Sequence, residues 1–378
     1  MSNRLKICLV SAAFHPYPSG VTEHVHHLAL ELHRTGHDVE VLTTRFKRHS
    51  DDSRLPFPVT RFGRAVLVPM NRSFATLPVG LGLSGRVRRF LSEREFDIVH
   101  CHGLFWPEIS YWALRWSRSV NLITFLTGGF RLHTAGSGIY RRLFRGQLSR
   151  IHGRIAISNR ARQAAEPYVP GDFRIIPCGV DLKRFRPGLE PMPGTGGPRL
   201  LFVGRLDGRK GILVLLRALP EVLVRFPGAR LDVVGTGPEE KRARALCRDL
   251  GIESAVRFCG RPTRDDLPRW YAGAGVYCSP ALGGETLGIV LLEAMASGVP
   301  VVASRIPGYD ETVRTGVEGI LVPPGEPTPL ADALVRVLTD TDLGGRLRRA
   351  GLERAREYAW PDICRRTLGF YSELLATR

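Results

Sequence analysis

The chain has 378 residues, 43% of them hydrophobic, and a formal charge of +18, enough for about two domains of ~150–200 residues. Such an excess of Lys and Arg faces anions: phosphate-bearing ligands, an acidic membrane surface or nucleic acid. The 7 cysteines are scattered and never spaced as CxxC, which argues against a disulfide framework or zinc site and for reduced thiols in a cytoplasmic protein; no signal peptide is visible and no run approaches the ~18 apolar residues that span a bilayer.

In chain order, the apolar run Leu5–Val10 predicts a first buried strand, followed by the loop FHPYPSG. Val21, Val25, Leu28, Ala29 and Leu32 then recur at helical spacing. Gly36 supplies a C-terminal stop, and DVEVLT (38–43) is the next strand. GLSGRVRRFLSEREF (82–96) reads as a basic helix, FDIVHCHG (96–103) and NLITFLTG (121–128) as strands, and GRIAIS (153–158) and FRIIPCGV (173–180) continue a parallel α/β alternation. The stretch RPGLEPMPGTGGP (186–198) reads as an interdomain linker. A second series follows: the strand PRLLFVGRL (198–206), the helix KGILVLLRALPEVLVRF (210–226), and the strands ARLDVVGTG (229–237), AVRFCGR (255–261), GVYCSPA (275–281), PVVAS (300–304) and GILVPPG (319–325). The expected division is therefore residues 1–186, a linker over 187–198, a second domain over 199–360, and a terminal helix over 361–378 that packs back on the first. The ligand of such a pair is expected at the carboxyl ends of the strands, in the cleft.

Two motifs carry chemistry. GRLDGRKG (204–211) joins a strand to a helix; Arg205 can fork onto phosphate oxygens and Lys210 can add a point charge. The spacing is not that of a Walker A loop, and alone the motif is an ordinary basic turn. The second is GGETLGIVLLEAMASG (283–298), with Glu285 and Glu293 set among apolar residues. A helix opening near Thr286 or Leu287 would point its first N–H groups, around Leu287, Gly288 and Ile289, at an anion. The two carboxylates can each accept two hydrogen bonds from sugar hydroxyls. Two cations and two carboxylates near strand–helix junctions suggest a nucleotide diphosphate bearing a sugar.

Residues 199–305 resemble the donor domain of the family-four retaining glycosyltransferases of the GT-B fold, through FVGRLDGRKG, VVGTGPE, VRFCGRP and YCSPALGGETLGIVLLEAMASGVPVVAS with its E-x7-E pair. The style of PALGGETLGIVLLEAMASG is most similar to the actinobacterial phosphatidylinositol α-mannosyltransferases. The resemblance implies two Rossmann-like α/β domains, an N-terminal acceptor domain and a C-terminal donor domain. It implies that Arg205 and Lys210 neutralise the leaving diphosphate, that Glu285 contacts the donor sugar and that Glu293 binds ribose hydroxyls. Gly204 and Gly237 would belong to the donor site, the backbone near Leu287–Ile289 would touch phosphate, and backbone groups near Arg261 would meet the base. Gly20 matches the second glycine of a loop near the donor phosphates, with Ser19 in place of the first.

The family pattern TFHT reads TFLT here, with Leu126 where the histidine would meet the donor 6-hydroxyl. Either the donor lacks that hydroxyl, as a 6-deoxyhexose or pentose does, or His133 or another group serves. His102, and His100 before it, resemble acceptor-side residues at a strand end. Arg86, Arg88 and Arg89 match a helix that meets anionic lipid in the family, and a solvated charged face is the plain alternative. His24, His26 and His27 lack metal spacing, and Asp340-Thr341-Asp342 lies far from these motifs.

The function so implied is transfer of a hexose, mannose or a related sugar, with retention, the leaving phosphate taking the acceptor proton. The nucleotide sugar is a co-substrate and no cofactor or metal is needed; GDP-mannose is favoured, with UDP- or dTDP-sugars open. The expected partners are an acceptor lipid such as phosphatidylinositol, or a soluble glycan, and an anionic membrane on whose inner face the protein sits; no nucleic acid is expected. A dinucleotide-dependent oxidoreductase would need GxGxxG after the first strand, where SAAFHPYPSG stands. A non-catalytic basic binding protein would explain the charge but not Glu285 and Glu293.

Overall fold

The structure, a computed structural model, describes residues 4–17, 19–47, 52–70, 73–103, 108–127, 134–194 and 196–377. The chain divides into two units, Met1–Gly179 with Trp360–Arg378, and Val180–Ala359.

The first unit is built on eight strands: β1 (Lys6–Ser11), β2 (Asp38–Arg45), β3 (Val59–Met70), β4 (Ser73–Val79), β5 (Ile98–His102), β6 (Val120–Phe125), β7 (Gly153–Ala156) and β8 (Phe173–Ile175), ordered β4-β3-β2-β1-β5-β6-β7-β8. Only the β3–β4 pair is antiparallel. The alternation along β1 shows why both faces are covered: Cys8 and Val10 join one apolar cluster and Ile7 and Leu9 the other. Parallel strands buried on both faces need apolar residues at successive positions, and β1 has them. Ile7 and Leu9 pack with the helix Gly20–Arg34 and the C-terminal helix Trp360–Ala376, Cys8 and Val10 with the helices Leu83–Arg94 and Ile109–Trp116. The C-terminal helix is thus integral to the first unit: His27 stacks on Trp360 at 5.3 Å and the Tyr371 hydroxyl reaches His100.

The second unit has six parallel strands: β9 (Arg199–Val203), β10 (Arg230–Val234), β11 (Val256–Gly260), β12 (Val276–Ser279), β13 (Val301–Ser304) and β14 (Gly319–Val322), ordered β11-β10-β9-β12-β13-β14. The order reverses between β1 and β5 in the first unit and between β9 and β12 in the second. Loops leave in opposite directions at such a point and open a crevice at the carboxyl ends.

The Pro/Gly-rich stretch differs from its expectation as a linker. It lies inside the second unit, tied down by arginines. Arg199 donates to the Met192 carbonyl at 2.8 Å and Arg257 to the Pro193 carbonyl at 2.9 Å, while both guanidinium groups pair with buried Asp232. The chain passes between units at Gly179–Val180 and again at Ala359–Trp360. Among the described residues no helix is long and apolar enough to cross a membrane. The seven cysteines are free thiols and all but half-buried Cys259 are buried.

Candidate functional site

In the second unit the loops that follow β9 and β12 meet at the switch point. Asp207 starts a short 3-10 turn (Gly208–Lys210) by accepting the Arg209 N–H at 3.0 Å. Gly211 then begins the helix Ile212–Arg225 with φ +69°, its α-carbon so close to the next loop that a Cβ would lie 1.9 Å from the Pro280 carbonyl. The Leu282 N–H donates to the Arg209 carbonyl at 2.7 Å. The Arg209 side chain donates to the Gly284 carbonyl and pairs with Asp207, both at 3.2 Å. The two motifs found separately in the sequence are therefore one structure, held largely through backbone.

Its chemical centre is the ion pair between Lys210 Nζ and Glu285 Oε1, at 2.8 Å, with side chains 16% and 12% exposed. Arg205 is exposed beside it in sequence. Glu293 lies in the helix Ile289–Ala296 and accepts a hydrogen bond from the Tyr271 hydroxyl at 2.9 Å. Beneath these carboxylates Tyr271, Tyr277 and Tyr309 are fully buried, and burial above all pushes their hydroxyls well up from the usual tyrosine range, so they are neutral hydrogen-bonding groups. Tyr309 shares a hydrogen bond with Ser279 at 2.8 Å.

The helix after GGETLG begins later than expected, at Ile289. Gly288 is its N-cap with φ +79°, and a Cβ there would lie 2.7 Å from the Tyr309 ring. Leu287 is 3% exposed, so its side chain belongs to the core and only its backbone remains available to a ligand. The Leu291 N–H turns back to the Gly288 carbonyl at 2.8 Å. That leaves the Ile289 and Val290 N–H groups as donors the helix itself does not use, and free donors at a helix start suit an anion.

The remaining expected donor residues are placed as follows. Gly204 lies against the Lys210 stem, its virtual Cβ 3.7 Å from Lys210 Cδ. Gly237 serves packing, since a Cβ there would lie 2.3 Å from the Leu206 carbonyl oxygen. Arg261 is exposed just past β11, the edge strand, two strands from β9; no contact joins it to Lys210 or Glu285. Arg209, Asp207 and Tyr271 were missed by sequence reasoning. A buried Tyr has no signature of its own, whereas an Arg directly before Lys210 was a visible signal.

In the first unit Ser11, His102 and Thr124 stand in register at the carboxyl ends of β1, β5 and β6. Gly20 begins its helix, and Ser19 caps it by accepting the Thr22 N–H at 3.1 Å, so the serine in place of glycine has a local function. His100 is not an acceptor-side group. It is 1% exposed and held between the Tyr371 hydroxyl and the Thr124 hydroxyl, each at 2.6 Å. His102 is also buried, and burial lowers its pKa to about 4, so it is neutral; among the described residues its Nε2 has no hydrogen-bond partner. Leu126 is half-buried one residue past β6. His133 lies outside the described residues.

The basic helix Leu83–Arg94 exposes Arg86, Arg88 and Arg89 but buries Leu83, Val87, Phe90 and Leu91 in the unit's own core. Its apolar face is therefore not available for insertion into lipid. The Arg88 guanidinium lies 4.9 Å from the Trp116 ring. Asp340 of the DxD string is a helix cap, accepting the Leu343 N–H at 2.8 Å. Among the described residues no group of three His, Cys, Asp or Glu is arranged to hold a metal ion.

Two parallel-sheet units with a cation–carboxylate pair at a switch point define the class: a glycosyltransferase of the GT-B fold. Two family models match, "Glycosyltransferase Family 4" over residues 18–184 and "Glycosyl transferases group 1" over residues 197–340. The chain is 38% identical to the phosphatidyl-myo-inositol mannosyltransferase of Mycobacterium leprae, over 95% of this chain and 94% of that protein. It is 31% identical to the D-inositol 3-phosphate glycosyltransferase of Acidothermus cellulolyticus, over 95% of this chain and 86% of the other. Its fold matches a crystal structure of a Rickettsia africae glycosyltransferase with a TM-score of 0.81 over 99% of both chains, at 20% identity. The protein belongs to the family-four glycosyltransferases.

Proposed function

We propose that the protein transfers a hexose, mannose or a close relative, from a nucleotide diphosphate sugar to a membrane glycolipid acceptor of the phosphatidylinositol type, with retention at the anomeric carbon. The observation that carries the donor half is the Lys210–Glu285 pair, 2.8 Å apart, with Glu285 four residues ahead of the helix Ile289–Ala296. A diphosphate entering there meets the Lys210 ammonium, the Arg205 guanidinium and the N–H groups of Ile289 and Val290, which stabilise the charge that grows as the glycosidic bond breaks. Preorganised donors of this kind are often the largest catalytic contribution. Glu285 then turns from Lys210 to the sugar hydroxyls, and Glu293, oriented by Tyr271, accepts from the ribose. The leaving phosphate takes the acceptor proton, so no separate base is required. Similarity over 95% of the chain to a protein named phosphatidyl-myo-inositol mannosyltransferase supports mannose and the inositol lipid.

A second reading has support in the relative named D-inositol 3-phosphate glycosyltransferase: a soluble inositol phosphate or glycan as acceptor. Leu126, whose side chain can neither give nor receive a hydrogen bond, favours within it a donor sugar without a 6-hydroxyl, a 6-deoxyhexose or a pentose. The test presents GDP-, UDP- and dTDP-sugars, 6-deoxy donors included, with phosphatidylinositol vesicles or with soluble inositol phosphate, and reads products by mass spectrometry. Mannosylated lipid from GDP-mannose is the expected product. Turnover only with the soluble acceptor, or only with another donor, overturns the first reading.

A further inference from the structure

One enclosed acid of the first unit has no task in the chemistry above. Glu108 is half-buried at the N-cap of the helix Ile109–Trp116, on the connection that leaves the carboxyl end of β5. The strand order reverses between β1 and β5, so this connection borders the crevice of the unit. An acid at an N-cap ordinarily accepts a backbone N–H from the first turn, and this one does not. Its side chain turns back to β5 instead. Gly103 has φ +96°, and a Cβ there would lie 3.0 Å from Glu108 Oε1. Burial first, and then the nearby Glu108 carboxyl, push the Cys101 thiol and the Tyr140 hydroxyl up from their ordinary ranges, so both neighbours stay neutral.

Among the described residues neither a cation nor a hydrogen-bond donor pairs with the Glu108 carboxyl. Elsewhere the chain pairs its enclosed acids: Glu40 with Arg94 and the Thr60 hydroxyl, Asp232 with Arg199 and Arg257, Glu293 with Tyr271, Glu318 with Arg314. Without a partner the charged form is disfavoured, and burial pushes the Glu108 pKa up to about 8. At neutral pH the group is a carboxylic acid, with an O–H to donate and a carbonyl oxygen to accept. Two neighbours in the chain are also unmet. The Ser110 hydroxyl and His102 Nε2 are buried and have no hydrogen-bond partner among the described residues. Ser110 lies against the same thiol as Glu108, its carbonyl 3.9 Å from Cys101 Sγ. Unmet polar groups gathered where a strand ends and a helix begins, beside a crevice, mark a place that a ligand completes.

We propose that Glu108 binds the acceptor, its carboxyl donating to one oxygen and accepting from the adjacent hydroxyl of a polyol ring of the inositol class. A pair of neighbouring hydroxyls offers both halves of that exchange, whereas a fully ionised phosphate offers only acceptors. The inference rests on the acceptor half of the proposed function and deepens it, but its test needs neither donor nor turnover.

The experiment is calorimetric titration of the purified full chain with myo-inositol phosphate between pH 7 and 9, a range in which the phosphate itself is largely ionised. The parent chain, Glu108→Gln, Glu108→Ala and the control Glu353→Gln are compared; Glu353 is exposed on the helix Thr341–Arg356 of the second unit. The protonated fraction of Glu108 falls from ~0.9 at pH 7 to ~0.1 at pH 9, so the parent is expected to bind about 10-fold more weakly at the higher pH, and the control with it. Glu108→Gln keeps a donor and an acceptor and cannot ionise, so its affinity is expected to stay flat. Glu108→Ala is expected to bind about 10-fold more weakly than the parent at pH 7, also without a slope. Thermal unfolding verifies that each variant folds and reads the same proton. An acid whose pKa rises on folding has its full stability below the unfolded value of ~4.3 and loses it as pH rises toward 8, so the melting temperature of Glu108→Gln is expected to climb relative to the parent across that window. A parent-like slope in Glu108→Gln, parent-like affinity in Glu108→Ala, or no binding by the parent at millimolar ligand would each overturn the proposal. Turnover of an inositol acceptor beside any of these results would remove Glu108 alone, whereas the expected slope without such turnover would remove only the transfer reading.

Discussion

Replacing Lys210 with Met separates the structural from the catalytic work of the Lys210–Glu285 pair. The two charges are 2.8 Å apart with 16% and 12% of their side chains exposed. Gross attraction between unit charges near contact is ~4 kcal/mol at an effective dielectric of ~20, and desolvation offsets most of it. Removing one partner of a fully buried pair costs ~3–5 kcal/mol because a bare charge stays behind; water reaches this pair, so ~2 kcal/mol is the discounted figure. For a unit of this size that lowers the melting temperature by ~4–8 °C. Lys210→Met/Glu285→Gln leaves no bare charge and should regain most of that loss. Turnover should follow a different rule. On the proposed function each single variant loses ~100–1000-fold in kcat, because each removes a group assigned to the donor, and the double variant stays inactive. Urea unfolding and donor turnover measured on the four proteins decide it. A Lys210→Met stability within ~0.5 kcal/mol of the parent would make the pair a solvated contact. Recovery of turnover in the double variant would show that the two residues serve only each other.

Gly211→Ala should destabilise the second unit by ~3 kcal/mol or more, since it combines a left-handed backbone with a Cβ 1.9 Å from the Pro280 carbonyl; a melting temperature equal to the parent's would contradict the loop geometry. Tyr271→Phe removes the donor to Glu293 and should raise KM for the nucleotide sugar several-fold at little change in kcat, with a stability loss of ~1 kcal/mol; an unchanged KM would detach Glu293 from donor binding. In the first unit His24, His100 and His102 are all held below the ordinary histidine range by burial first, His102 to about 4. The unfolded chain therefore binds more protons, so stability is fully present above pH ~6.5 and is lost as pH falls toward 4, at ~1.4 kcal/mol per pH unit for each such group. Urea midpoints between pH 7 and 5 should show that slope, and His102→Gln should flatten it by one group's share; an unflattened slope would mean that His102 is already protonated in the fold.

The donor motifs were legible because they combine short-range patterns with unusual composition. GRLDGRKG and GGETLGIVLLEAMASG each place charge and glycine at a strand–helix junction, and a junction is a local event that spacing reveals. The same reading set the helix start too early, at Thr286 or Leu287, because it could not see Tyr309 packed against Gly288, which forces the left-handed cap. The antiparallel hairpin β3–β4 passed unread for a related reason: Val59–Val79 carries charged and apolar residues on an edge, without the continuous apolar run of a buried parallel strand.

By itself the sequence determined the alternation of strands and helices, the two-domain class and which charged residues stand at the strand–helix junctions, since hydrophobic period and turn chemistry are properties of neighbours along the chain. Tertiary structure alone decided who meets whom. It turned a glycine- and proline-rich stretch from an apparent linker into a segment pinned by Arg199 and Arg257, and it took His100 out of the acceptor side by closing Tyr371 over it from 271 residues away. It also buried the apolar face of the helix Leu83–Arg94. These are contacts between residues far apart in the chain, set by which faces pack together, and no local spacing carries that information.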